Sequence, residues 1–167
     1  MEKKFLGNFT QQEPLPESSI EAAIKVMRHG RLHRYNVKNG EISETALFEK
    51  EFAKKLDVRF CLACASGGYA MTTALRALGI KPGDKILTNG FTLAPVPGAI
   101  AAAGGEVVFV EITDKLLIDF DDLQQKIISS KSKVLLLSHM RGHICNMDEL
   151  MAICNRFGVQ VIEDCAH

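Results

Sequence analysis

The run Val134-Leu135-Leu136-Leu137 is the feature that most narrows the folds open to this chain. Successive side chains of a strand point to opposite faces, so an unbroken apolar run marks a strand covered on both sides. Further short segments read as strands at Arg59–Ala63, Lys85–Thr88, Glu106–Ile112 and Val159–Ile162. Between them the apolar period lengthens to that of a helix. Within Gly67–Leu78, the residues Ala70, Met71, Ala74, Leu75 and Leu78 recur along one face, Gly79 is placed to end the helix, and Pro82 blocks its continuation. Helices are expected over Pro95–Ala103 and Asp121–Ser129, the second with Leu123 and Ile127 inward. Asn146 with Glu149 three residues on forms a capping box, opening a helix lined by Leu150, Ile153, Cys154 and Phe157 that Gly158 ends. This alternation predicts an α/β fold, a three-layer α/β/α sandwich around a mostly parallel sheet.

Upstream, Ser18–His29 and Thr45–Leu56 read as helices, the second carrying a stripe of Phe48, Phe52 and Leu56. Gly30–Ser43 is polar and reads as a loop. The expected organisation is a helix-and-loop segment over 1–44 and a large domain over 45–167. Glu163–His167 leaves the last strand with no covering helix after it, so the large domain is expected to be incomplete, stopping after a core strand.

Lysine plus arginine and aspartate plus glutamate both number 20, giving zero formal net charge. No clustered basic excess points to nucleic acid or a membrane surface. The most apolar stretch, Phe91–Gly105, is interrupted by Pro95 and Pro97 and is too short to span a bilayer. Five cysteines without framework spacing fit free thiols, and a cytoplasmic location is expected. Cys61 and Cys64 form a CxxC beside a strand, where i and i+3 face opposite sides, and no second pair completes a zinc site; no metal is expected.

Three segments carry chemistry. Cys64-Ala65-Ser66-Gly67-Gly68-Tyr69-Ala70 joins a strand to a helix through small residues. Such a turn lets backbone N–H groups approach a phosphate, and the helix end adds positive potential; turns of this kind also serve purely structural ends. Asp164 ends an apolar strand, where a carboxylate can hold a protonated ring nitrogen or cap the following loop. Ser138-His139-Met140-Arg141-Gly142-His143 follows the fourth strand, either at a ligand rim or subunit contact or as a solvated turn.

In this order, together with Leu78-Gly79-Ile80-Lys81-Pro82-Gly83-Asp84, Phe91-Thr92-Leu93, Gly104–Val110 and Met147-Asp148, the segments resemble the DegT/DnrJ/EryC1/StrS aminotransferases, which are fold-type I enzymes dependent on pyridoxal 5'-phosphate (PLP). The resemblance runs from about Pro14 to His167 and covers roughly the first half of such an enzyme. It implies that Gly67 and Gly68 bind the cofactor phosphate, that Asp164 pairs with the pyridinium nitrogen, that His167 lies near the phenolic oxygen, and that Leu93 lies on the ring face. It further implies an amino-acid donor, a nucleotide-linked keto-sugar acceptor and a homodimer, in polysaccharide or secondary-metabolite synthesis. Four departures stand out. Gly68 replaces a usual Thr, Leu93 a usual aromatic, and Asn146 a common Asp. The family's Schiff-base lysine lies beyond Glu163–His167, so no catalytic residue is expected within the chain, and efficient transamination by it is not expected. A PLP-binding fragment or partner subunit without catalysis, and a sugar dehydratase with His in place of that lysine, are the competing readings. A Rossmann nucleotide domain is disfavoured because no G-x-G-x-x-G is present.

Overall fold

The computed structural model describes residues 7, 8 and 12–167, divided into two compact units at Ala63/Cys64. The first unit holds α1 (Glu17–His29) and α2 (Glu44–Lys55), joined by a loop. Gly30 closes α1 in the left-handed conformation, with its N–H on Val26 O. Ser43 opens α2, its hydroxyl accepting the Ala46 N–H at 3.2 Å. Neither helix buries a residue completely, and the Phe48, Phe52, Leu56 stripe stays 53%, 41% and 55% exposed.

The second unit contains α3 (Gly67–Ala77), β1 (Lys85–Asn89), α4 (Pro95–Ala103), β2 (Glu106–Val110), α5 (Phe120–Ser130), β3 (Val134–Ser138), a 3-10 turn at Met140–Gly142, α6 (Met147–Phe157) and β4 (Gln160–Asp164). The four strands form one parallel sheet in the order β2-β1-β3-β4. The chain moves from β1 outward to β2, then crosses back over β1 to β3, so the switch in direction lies between β1 and β3.

Alternation along β3 explains the layering. Val134 and Leu136 join Met71, Leu75, Val96, Ala99 and Ile100 beneath α3 and α4. Leu135 and Leu137 join Leu123, Ile127, Leu150, Ile153 and Cys154 beneath α5 and α6. β3 lies between both cores, and all five of its residues are buried, while the flanking β2 and β4 are only partly covered. The three-layer α/β/α expectation and the helix spans hold to within a residue or two. Caps set those ends. Asn146 Oδ1 accepts the Glu149 N–H at 3.3 Å, and Gly158 and Gly104 end their helices with positive φ.

One expected strand does not form. Arg59–Ala63 has no ladder partner among the described residues. The Ala63 N–H is taken by Glu49 Oε1 of α2 at 2.8 Å, which removes a donor a strand would need. The expected third strand is also shorter, since Ile112 leaves β2 to make an isolated antiparallel bridge with Ile118.

Candidate functional site

Parallel strands put all their carboxyl ends on one edge, and the switch in strand order between β1 and β3 marks the place on that edge where sheets of this kind bind ligands. α3 starts at that edge, because a short connector from its far end leads directly into the start of β1. Gly68 in its first turn stands beside Pro95 at the start of α4, which leaves the same edge: a Cβ on Gly68 would lie 4.0 Å from Pro95 Cβ.

The first turn of α3 is built to present donors. Ser66 caps the helix, its hydroxyl accepting the Tyr69 N–H at 3.2 Å. The N–H groups of Gly67 and Gly68 have no acceptor among the described residues. Nothing would lie within 4 Å of a Cβ on Gly67. With the positive end of the helix behind them, they form an anion-facing turn.

Asp164 ends β4 at the same edge. On that strand Ile162 packs into the α3/α4 core, and strand alternation puts Asp164 on the same face. Its carboxylate is oriented by two donors: Ser138 Oγ–H to Oδ2 at 3.2 Å, and the Ala166 N–H to Oδ1 at 3.3 Å. Leu93 lies in the β1–α4 loop and is 47% exposed; His167 is exposed three residues past β4. Thus Gly67, Gly68, Leu93, Asp164 and His167 all belong to the carboxyl edge. Thr88 Oγ1, and Thr92 Oγ1 beside Leu93, are buried without hydrogen-bond partners among the described residues.

Asn89 is a residue that sequence reading passed over. It is 3% exposed at the end of β1, and its carboxamide bonds both the N–H (2.9 Å) and the C=O (3.1 Å) of Ser138. An asparagine directly after Ile86-Leu87-Thr88, at the end of the strand, was the available signal. Glu163 points to the opposite face from Asp164, where its carboxylate meets His139 Nε2 at 2.9 Å. Cys165 Sγ, His139 and Glu163 offer donor atoms within 4.8 Å of one another. Burial, then the charges of Glu163 and Asp164, raise the Cys165 pKa above its ordinary 9.0, so this group carries a protonated thiol at neutral pH. Lys81, Lys85, Lys131 and Lys133 lie at the opposite edge, where Lys133 Nζ donates to Phe157 O at 2.9 Å.

The sequence profile of the DegT/DnrJ/EryC1/StrS aminotransferase family matches residues 16–167. The chain belongs to this family. A UDP-2-acetamido-2-deoxy-3-oxo-D-glucuronate aminotransferase of Pseudomonas aeruginosa is 29% identical over 156 residues, covering 93% of this chain and 42% of that protein. A GDP-perosamine synthase of Vibrio cholerae is 34% identical over 120 residues, covering 71% and 32%. The crystal structure of DesV from S. venezuelae superposes with a TM-score of 0.77 at 30% identity, covering 90% of this chain and 39% of that one. The chain therefore spans about two-fifths or less of the length of these relatives. Its architecture is that of the fold-type I PLP-dependent enzymes of the DegT/DnrJ/EryC1/StrS family. The residues present fit that cofactor: two unspent amides suit a phosphoester, and an oriented carboxylate suits a cationic ring nitrogen.

Proposed function

We propose that this chain supplies the phosphate cradle and the ring-nitrogen carboxylate of a PLP-dependent aminotransferase acting on a nucleotide-linked keto-sugar. The observation that carries the reading is the free amide pair of Gly67 and Gly68 sharing one sheet edge and one face with Asp164. The relatives' names support the substrate class, since they specify amino transfer to sugars carried on UDP or synthesis of a GDP-linked amino sugar.

When bound, the cofactor supplies an electron-accepting ring through which an amino group passes from an amino-acid donor to the sugar carbon. The chain's residues do the holding. Gly67 and Gly68 N–H groups grip the phosphate, aided by the α3 dipole. Asp164 keeps a proton on the ring nitrogen through a charge-assisted hydrogen bond. Leu93 packs on the ring face and excludes water; it lacks the aromatic quadrupole, a difference of roughly 0.5–1.5 kcal/mol in stacking. His167 hydrogen-bonds near the phenolic oxygen. The reading gives this chain no lysine role and treats assembly as a homodimer.

Pyridoxamine 5'-phosphate is the suitable probe, because its amine does not condense with surface lysines. Fluorescence titration of the 167-residue chain is expected to show saturable one-site binding, weakened about tenfold or more in Asp164→Asn, the size of one hydrogen bond to a charged group. Absence of saturable binding, or equal affinity in the variant, defeats the reading.

A further inference from the structure

We infer that Ser138 is a positioning residue for Asp164, itself clamped in place by Asn89. The inference rests on the reading of Asp164 as the partner of a cationic ring nitrogen, and it names the devices that aim that carboxylate.

The register of β3 and β4 sets Ser138 directly opposite Asp164, and both point to the α3/α4 face. Ser138 is 5% exposed, so its hydroxyl has little access to water and donates to Asp164 Oδ2 at 3.2 Å. A serine hydroxyl carries one proton, and here that proton is spent on the carboxylate. The Ala166 N–H on Oδ1 comes from the segment just after β4 and moves with it. Ser138 is therefore the donor that ties the Asp164 side chain to a neighbouring strand. With one bond to each oxygen, the carboxylate plane is fixed while unused lone pairs stay available to a ring N–H.

Ser138 could drift at the end of its strand, but Asn89 prevents this. Pairing between β1 and β3 ends at Thr88↔Leu136, where the strands part. Past that point the Asn89 carboxamide takes the place of the ladder. Its Oδ1 accepts the Ser138 N–H at 2.9 Å, and its Nδ2 donates to Ser138 O at 3.1 Å and to Phe91 O at 2.9 Å. A buried amide with both ends satisfied is a rigid brace. The His139 N–H adds a bond to Asp164 O at 3.1 Å, locking the two strand ends together. Three strands thus converge on one carboxylate through Asn89, Ser138 and Asp164.

The test reads ring protonation as well as affinity, using pyridoxamine 5'-phosphate labelled with nitrogen-15 in its ring. Ser138→Ala is expected to weaken binding about tenfold and to move the ring nitrogen resonance toward its unprotonated position. In an Asp164→Asn background the same substitution is expected to cost no further affinity, since its effect runs through that carboxylate. Ser138→Thr, which keeps the hydroxyl, is expected to restore both readouts; should its methyl prevent folding, the double-variant comparison decides. Unchanged affinity and resonance in Ser138→Ala overturns the positioning role and leaves the parent reading intact. An equal loss in the Asp164→Asn background also overturns it. Failure of the unsubstituted chain to bind the probe overturns both.

Discussion

Glu49 shows how one side chain can decide local structure. Standing on α2 with 12% of its side chain exposed, it accepts the Arg34 Nη2 at 2.7 Å on one oxygen and the Ala63 N–H at 2.8 Å on the other. The Ala63 hydrogen bond is the largest influence on its acidity, and Arg34 adds to it; together they outweigh burial and hold the pKa below the ordinary 4.5. A depressed carboxylate pKa stabilises the fold above the unfolded value, and that contribution fades as pH falls through the folded one. Glu49→Gln keeps an acceptor oxygen but removes the charge. The stability gap between the parent chain and Glu49→Gln is therefore expected to be full above pH 4.5 and to close on further acidification, as read from urea midpoints along a pH series. A gap that stays constant from neutral to strongly acid pH would rule out this linkage.

At the scale of elements, two glycines predict opposite outcomes for the same substitution. Gly105 leads into β2 where a Cβ would stand 3.0 Å from Ile86 Cγ1 and 3.2 Å from both Asp84 O and Ile100 Cγ2. Ile86 and Ile100 are core residues without room to yield, so Gly105→Ala is expected to destabilise by about 1–3 kcal/mol. Gly68 sits in a helical turn with only Pro95 Cβ at 4.0 Å. Gly68→Ala removes freedom from the unfolded chain without a clash, and is expected to stabilise by about 0.4–1 kcal/mol. Urea denaturation of both variants checks the signs, and two changes of the same sign would refute the packing argument. The elements also mark what sequence could and could not convey. Helix ends were legible where Gly79, Asn146 and Gly158 act within a few residues of themselves. The strand expected at Arg59–Ala63 was misread because its fate depends on Glu49, fourteen residues away. Gly67, Gly68 and Asp164 were legible as types at strand and helix ends. The Asn89 brace and the Ser138 donor were not, since both arise from the pairing register of strands distant in sequence.

Over the whole molecule, stability is expected to be uneven. The second unit packs two cores against β3, whose residues are all buried, so exposing a β3 amide requires breaking the sheet. The first unit has no such centre: α1 and α2 bury no residue completely, and their apolar side chains Phe48, Phe52 and Leu56 remain about half exposed. Helices of 13 and 12 residues are marginal on their own, because most helical stability in proteins comes from burying an apolar face. Local opening free energies range from near zero in such segments to the global value in a closed core. Hydrogen exchange followed by mass spectrometry is expected to show α1 and α2 peptides exchanging at least ~100-fold faster than the Val134–Ser138 peptide at neutral pH. Ser43 slows fraying at the start of α2 only, so exchange there should rise toward Lys55. Protection of α1 and α2 equal to that of β3 would mean that their apolar stripe is covered, and the two-level picture of this molecule would fall.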